Sequence, residues 1–484
     1  MNIFKKKSLC AALAGIGALG AVGAAQAVNL NPDGLGQVLI YPYYTTRADA
    51  AGNVYNSLLS VVNSTASVKA VKVRFLEGKN SQEVLDFNLF LSPKDVWTAG
   101  IVPMGSGAGI ITADKSCTLP VIPAAGKAFV NFLYTSDGAG ATLDRTREGY
   151  VEIIEMATFD DSSDTAANVT HINGVPPGCS DQTDALAASE ALPPGLTDQD
   201  GRSGIFGSMT LINVDSGTAA GQDAVALDNF SDVVLYTNAG SVQPDLTQAS
   251  PPVSVLFANN FIYNSLWSAS TADPVSAVLM HDHIMNEYVL DAGTNSGTDW
   301  VVTMPTKRFY VANGTGTPPR LFQRNFNKTD GACDDVDLAI YDREENTTST
   351  PLDFSPPPPT LSNAICWEAN VITFNNSNLL GSANSANIST TFEHGWLDVG
   401  FFPGTVTGAV HTLPNDATIV TDIFASSSVG PATYVGLPVV GFAVETFQNN
   451  VITVTGTPAT YASSFVQKGT RLIDALLPVS TSRR

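Results

Sequence analysis

Apolar and polar positions alternate most cleanly between residues 56 and 91. In Val71-Lys72-Val73-Arg74-Phe75 the odd positions are apolar and the even ones basic. After Glu77-Gly78-Lys79-Asn80-Ser81 the alternation resumes, with Leu85, Phe87, Leu89 and Leu91 set against Asp86 and Asn88. A repeat of two residues places one side of a strand on a core and the other in water. The stretch therefore predicts an antiparallel hairpin of a sandwich. Residues 58–62 predict a third strand that turns at Asn63-Ser64-Thr65, and Ser92-Pro93 ends the pair because proline cannot donate to a ladder. Further strands are expected at 128–134 and 150–156. Such spacing suits an immunoglobulin-like sandwich.

The texture changes between 160 and 204, where Asp, Ser, Ala, Pro and Gly dominate and Pro176-Pro177-Gly178 and Pro193-Pro194-Gly195 break any regular element. This reads as an inter-domain connection with a short helix over 184–192. Strands are predicted at 208–214, 232–237 and 253–257. A helix is predicted over 274–290, opened by Pro274 and carrying Val278, Met280, Ile284, Met285, Tyr288 and Val289 as a broad apolar face. Strands follow at 299–303, 308–311, 371–374, 395–402, 439–447 and 451–455, with Pro356 to Pro359 as a stiff extended segment. The expected fold class is mainly β: two or more β-sandwich (immunoglobulin-like) domains with long loops and one or two short helices. The expected organisation is a signal peptide over 1–27, an N-terminal sandwich over 28–159 and a linker over 160–204. A larger β-rich part over 205–484 follows, divisible near 320–360.

The ends and the charge set the compartment. Lys5, Lys6 and Lys7 precede an apolar stretch from Leu9 to about Gly23, and Ala25-Gln26-Ala27 supplies a small-x-small cleavage pattern, the three parts of a Sec signal in order. Gly15-Ile16-Gly17-Ala18-Leu19-Gly20 spells a dinucleotide fingerprint, but with no strand before it and inside a cleaved segment it carries no meaning. Cleavage removes three lysines and leaves 45 acids against 21 bases, a formal charge of −24 in place of −21. A surface that acidic repels phosphate backbones, which excludes nucleic acid as a partner. Four cysteines survive cleavage, Cys117, Cys179, Cys333 and Cys366. An even number in an exported chain implies disulfides. Three connectivities are open, and joining neighbours within one half favours Cys117–Cys179 with Cys333–Cys366. No transmembrane span is expected, and the location read from these features is extracellular or cell-surface, or else periplasmic.

Three blocks are familiar as sequence: residues 31–44 (NPDGLGQVLIYPYY), residues 144–150 (DRTREGY) and residues 298–307 (TDWVVTMPTK). The chain resembles a group of secreted proteobacterial proteins of similar length that carry no known activity. The resemblance implies export and a bacterial source, and no mechanism.

Candidate chemistry is sparse. Asp198, Asp200 and Ser203 alternate oxygen ligands around Gly201, as a calcium loop does, though without the closing glutamate of an EF-hand. Asp334, Asp335 and Asp337 form a second acidic patch, and calcium is the one cofactor the sequence offers. His281-Asp282-His283 could clasp a metal on a strand, but on the predicted helix the imidazoles point about 200° apart. Glu152 with Glu155, and Glu344 with Glu345, are carboxylate pairs of the type glycosidases use. His171, His394 and His411 stand far from any nucleophile motif. Tyr41, Tyr43 and Tyr44, or Trp267, Trp300 and Trp396, could build a flat platform for sugar rings. No catalytic motif is present. The expectation is an exported structural or surface-associated protein, such as a matrix, surface-layer or adhesin-like component, that partners itself or cell-surface polymers. Carbohydrate binding is the second reading and an inter-domain hydrolase the third.

Overall fold

The hairpin expected near residues 56–91 forms as Lys69–Glu77 paired with Glu83–Leu91 in one sheet, and the third strand, Tyr55–Asn63, lies in a second sheet that faces it. In this computed structural model, residues 26–134, 137–179, 196–197, 203–311, 320–347, 364–401, 411–422, 426–452 and 457–478 are described. Residues 1–25 of the signal segment, the 184–192 helix and Pro356 to Pro359 lie outside them, as do residues 453–455 of the last predicted strand. An eight-stranded sheet runs Asn29–Leu30, Val225–Asp228, Val38–Thr45, Glu148–Phe159, Lys69–Glu77, Glu83–Leu91, Thr118–Leu119, with Leu196–Thr197 appended to Glu148–Phe159. A six-stranded sheet runs Thr218–Asp223, Ile205–Asn213, Tyr55–Asn63, Val96–Met104, Gly107–Ile111, Lys127–Ala128. Both sheets exceed the four and three strands of the seven-stranded immunoglobulin arrangement.

Between them lies one core. Val71, Val73 and Phe75 from the first sheet meet Leu59, Trp97 and Met209 from the second, each buried apolar side chain contributing about 1.5–3 kcal/mol. Residues 205–228 give strands to both sheets, so the boundary expected at 205 falls inside the sandwich. The core also takes in Val301, Val371, Phe442 and Val444 from the C-terminal half. That half is built of smaller sheets. A five-stranded one is centred on Gly297–Thr303 and Val440–Ile452, and a four-stranded one pairs Asp337–Asp342, His394–Gly400, His283–Val289 and Lys468–Thr470. Thr303 Oγ1 donates to Pro42 O at 2.7 Å, tying the halves together.

Several expectations change. The helix covers only Asp273–Leu279; Met280–His281 and His283–Val289 are strands. Ile284, Asn286 and Tyr288 face inward while Met285, Glu287 and Val289 alternate outward. The same apolar residues fit periods of 2 and 3.6, and pairing with His394–Gly400 decides the matter. Strand 308–311 is instead the single turn Lys307–Phe309. Strand 128–134 shrinks to Lys127–Ala128, and 232–237 is extended chain outside any strand, bonded through Asp232 N to Ser250 O and Leu235 N to Met156 O. The disulfides are Cys117–Cys179 and Cys333–Cys366, closing 62 and 33 residues, each contributing about 2–4 kcal/mol. Among the described residues no helix is long and apolar enough to cross a membrane.

The largest departure concerns the polar side of the hairpin. Lys69–Glu77 is buried at every position. Residues 229–250 and the Lys307–Phe309 turn lie over that side, with Lys72 Nζ donating to Asn238 O and Ser241 O and Arg308 Nη1 to Ser81 O. The Cys117–Cys179 pair packs with Phe90, Met156 and Tyr236 at the same cover.

Candidate functional site

Two regions of the sandwich stand out. The first is a buried ionic network on the covered side of the eight-stranded sheet. Arg74 Nε reaches Glu83 Oε2 at 2.8 Å and Nη1 reaches Glu152 Oε2 at 2.6 Å. Lys72 pairs with Asp86 at 3.1 Å. On the opposite, core side of the same strand, in the row of Val71, Val73 and Phe75, Glu77 binds Arg145 at 2.8 Å; Arg145 also holds Asp137 at 2.7 Å and lies 4.1 Å from the Tyr134 ring centre. The Glu77 carboxylate also accepts from the backbone of Lys79, Asn80 and Gln82, which is why the chain turns there. Burial pushes the Glu83 and Glu152 carboxyls up against the pull of Arg74. At the edge, Tyr150 donates to Ser81 Oγ (2.7 Å) and Ser81 to Glu368 Oε2 (2.8 Å). Burial raises the Glu368 carboxyl to about 8, opposed by Lys307. A cavity of about 380 Å³ opens here, lined by Arg74, Glu83, Asp245 and Arg308 together with Val242 and Phe309. Its cations are already engaged: Arg74 by two glutamates, Arg308 by Asp245 at 3.4 Å. The sequence signal was there, since the acids sit on strands adjacent to the bases, but alternation alone reads as a solvated face.

The second region is the outer face of the six-stranded sheet. Directly paired residues point to the same side, so the register lays out rows. Val96, Val62 and Phe206 form one; Thr98, Ser60, Ser208 and Asp223 the next; Ile111, Gly100, Leu58 and Thr210 a third. Leu58, Val96, Ile111 and Phe206 are exposed by more than 40%. Asp223 is the one charged side chain among the outward positions of these five strands.

The remaining sequence candidates separate. Asp198 and Asp200 lie outside the described residues. Ser203, at φ 68°, donates its backbone N–H to Glu155 Oε2 at 2.9 Å. Burial pushes the Asp334 carboxyl up, but Lys307 at 2.9 Å and His411 at 3.1 Å outweigh it and hold it below its ordinary range. Its oxygens are therefore taken. Asp335 faces Arg324 at 3.7 Å. Among the described residues no group of three His, Cys, Asp or Glu side chains is placed to hold a metal ion. His281 and His283 lie on strands rather than the expected helix, and they still do not converge: His281 Nδ1 meets Leu279 O at 3.0 Å, His283 Nδ1 meets Asp398 at 2.9 Å. Glu152 and Glu155 point to opposite sides of one strand, with Glu155 bound to Lys69 at 2.7 Å. Glu344 pairs with Arg343 on an exposed turn.

The aromatic platforms are corrected too. Tyr41, Tyr43, Tyr44, Trp267 and Trp300 are buried. Trp396 is exposed and stacks one face on Tyr341 at 4.5 Å and 15°, so it stands apart from the two buried tryptophans with which it was grouped.

Fold and site thus define a mainly β, two-disulfide protein with a paired ionic interior and an outer sheet face that carries a single charge on its five main strands, Asp223. No protein-family model matches the chain, and no curated protein matches it.

Proposed function

We propose that this is a Sec-exported, surface-associated structural protein of the bacterial exterior, and that it assembles through the outer face of the six-stranded sheet against a second copy of itself. The observation that carries the reading is the near absence of charge on that exposed face in a chain of net charge −21. Copies this acidic repel one another, so a contact between them needs a face free of like charges. Exposed apolar rows on a soluble protein mark interaction sites. Five strands about 4.8 Å apart and rows about 6.8 Å apart give roughly 500–600 Å² per copy, so two copies bury about 1,000–1,200 Å², the lower end for specific interfaces. The association is therefore weak and reversible, as suits a component that builds a layer by many contacts. Two disulfides fit an oxidising, exported environment. The immunoglobulin-like label belongs with this reading as a likeness of architecture, two packed antiparallel sheets.

Sedimentation equilibrium of the mature chain tests it. The wild type should gain apparent mass with concentration, while Leu58→Glu combined with Phe206→Glu should stay monomeric with an unchanged circular dichroism spectrum. A wild type that remains monomeric at millimolar concentration, or a variant that associates equally well, refutes the assignment.

A further inference from the structure

The ionic cavity beside Arg74 holds cations that already have acids. A second cavity, about 190 Å³, lies where the halves meet and has the opposite character. Leu30 and Val225 come from strands of the eight-stranded sheet, Ile284 and Val301 from the middle of the chain, and Val440 from the Val440–Ile452 strand of the five-stranded sheet. These side chains make a predominantly apolar chamber. At one end stand Gln467, Lys468 and Arg471.

The polar end is unsatisfied. Both amide atoms of Gln467 are buried without a hydrogen-bond partner. Lys468 Nζ donates only to Val466 O, at 3.0 Å, and Arg471 Nη1 to Met280 O, at 2.7 Å. Among the described residues neither cation has a carboxylate within ion-pair distance. Asp282 acts on Arg471 electrostatically from farther away, and its own buried Oδ1 has no partner. Burial lowers the Arg471 guanidinium to about 10. In a chain with 45 acids and 24 bases, two cations left without acids beside an apolar chamber are an imbalance that an incoming anion would relieve. His281 adds no charge, because burial with Arg471 nearby lowers its imidazole to about 3. Gly469 lets the Lys468–Thr470 strand lie against it, since a Cβ there would be 2.3 Å from His281 Cδ2.

We infer that this chamber binds an aliphatic carboxylate, the tail among Leu30, Val225, Ile284, Val301 and Val440, and the head between Arg471, Lys468 and the Gln467 amide. A guanidinium takes both oxygens of a carboxylate in one plane, and the exposed residues Val466 and Lys468 mark the mouth. An apolar cavity of about 150 Å³ holds benzene, so this one accepts a chain of about six to eight carbons.

Isothermal titration of the full mature chain with octanoate, 1-octanol and acetate tests the inference. Octanoate should bind at least tenfold more tightly than 1-octanol, which has the tail without the charge, and acetate should give no heat of binding. Lys468→Glu, at an exposed position, should weaken octanoate at least tenfold while leaving the unliganded melting temperature within about 2 °C. Equal affinity for octanoate and 1-octanol, no binding of either, or an unchanged octanoate affinity in Lys468→Glu overturns it.

Discussion

The two outward sides of the N-terminal sandwich invert the usual arrangement. Behind the eight-stranded sheet lie Lys72, Arg74 and Glu152, side chains that ordinarily face water, yet they are buried. On the six-stranded sheet Leu58, Val96, Ile111 and Phe206 face solvent. The difference teaches that alternation identifies which residues share a side of a strand, not what covers that side. Charged residues are almost never fully buried unless paired, and here the pairing is built across neighbouring strands: Arg74 sits opposite both Glu152 and Asp86 in register. Once every charge has its partner, a crossing segment can close over the sheet. The outer face of the six-stranded sheet, with Asp223 as the one charge on its five main strands, has no such internal partners.

The strongest way to break the comparison is to remove one cation from the covered side. Arg74→Met keeps the bulk of the side chain and leaves Glu83 and Glu152 buried without their common partner. Losing one member of a buried pair costs about 3–5 kcal/mol, because the remaining charge is uncompensated. Urea denaturation should show that loss. A change under 1 kcal/mol would mean that water reaches those carboxylates and that the cover over residues 229–250 is not closed.

A second prediction sharpens the comparison at the edge of the same network. Glu368 is held at about 8 in the fold against an ordinary 4.5. Between those values the native state keeps a proton that the unfolded chain has released, so stability falls as pH rises from about 4.5 to about 8 and is flat below. Lys307 and Arg308 act on Glu368 to lower it and Glu77 to raise it, and Ser81 donates to its Oε2. Glu368→Gln retains an acceptor for Ser81 and removes the titration. The variant should match the wild type near pH 4.5 and exceed it by on the order of 4 kcal/mol at pH 8. Parallel stability curves across that range would show that Glu368 is ionised throughout.

How far these features were legible follows from what each depends on. The disulfides were readable because an even cysteine number and a preference for neighbours within one half need no knowledge of the distant fold, and both bridges form as expected. The mainly β class was readable from Val71 to Leu91, where period and turn agree. The 280–289 segment was misassigned because its apolar residues satisfy two periods at once, and only the distant His394–Gly400 strand settles which. The aromatic platforms failed for a similar reason. Tyr41, Tyr43 and Tyr44 each find a distant oxygen acceptor, Ser60 O, Glu148 Oε2 and Thr146 O, that lets a phenol be buried. Long-range partners are not written in local pattern. The cavity near Arg471 draws on at least four separate stretches of chain and could not have been assembled from spacing.

The smallest expected effect closes the comparison from the other side. If the six-stranded sheet's outer face contributes nothing to folding of the monomer, single charges placed there should be tolerated. Leu58→Lys exchanges an exposed aliphatic group for a lysine whose stem can still lie along the sheet. Surface changes of this kind stay within about 0.5 kcal/mol. Measured by urea denaturation at a concentration where the wild type is monomeric, Leu58→Lys should fall within that bound, an order of magnitude below Arg74→Met. The ratio is the informative quantity. Charge removed from a covered face and charge added to an open one are formally similar edits, and only the solvent on each side distinguishes them. Should Leu58→Lys cost 2 kcal/mol or more, that face is packed against another part of this chain, and a second copy is not needed to explain its neutrality.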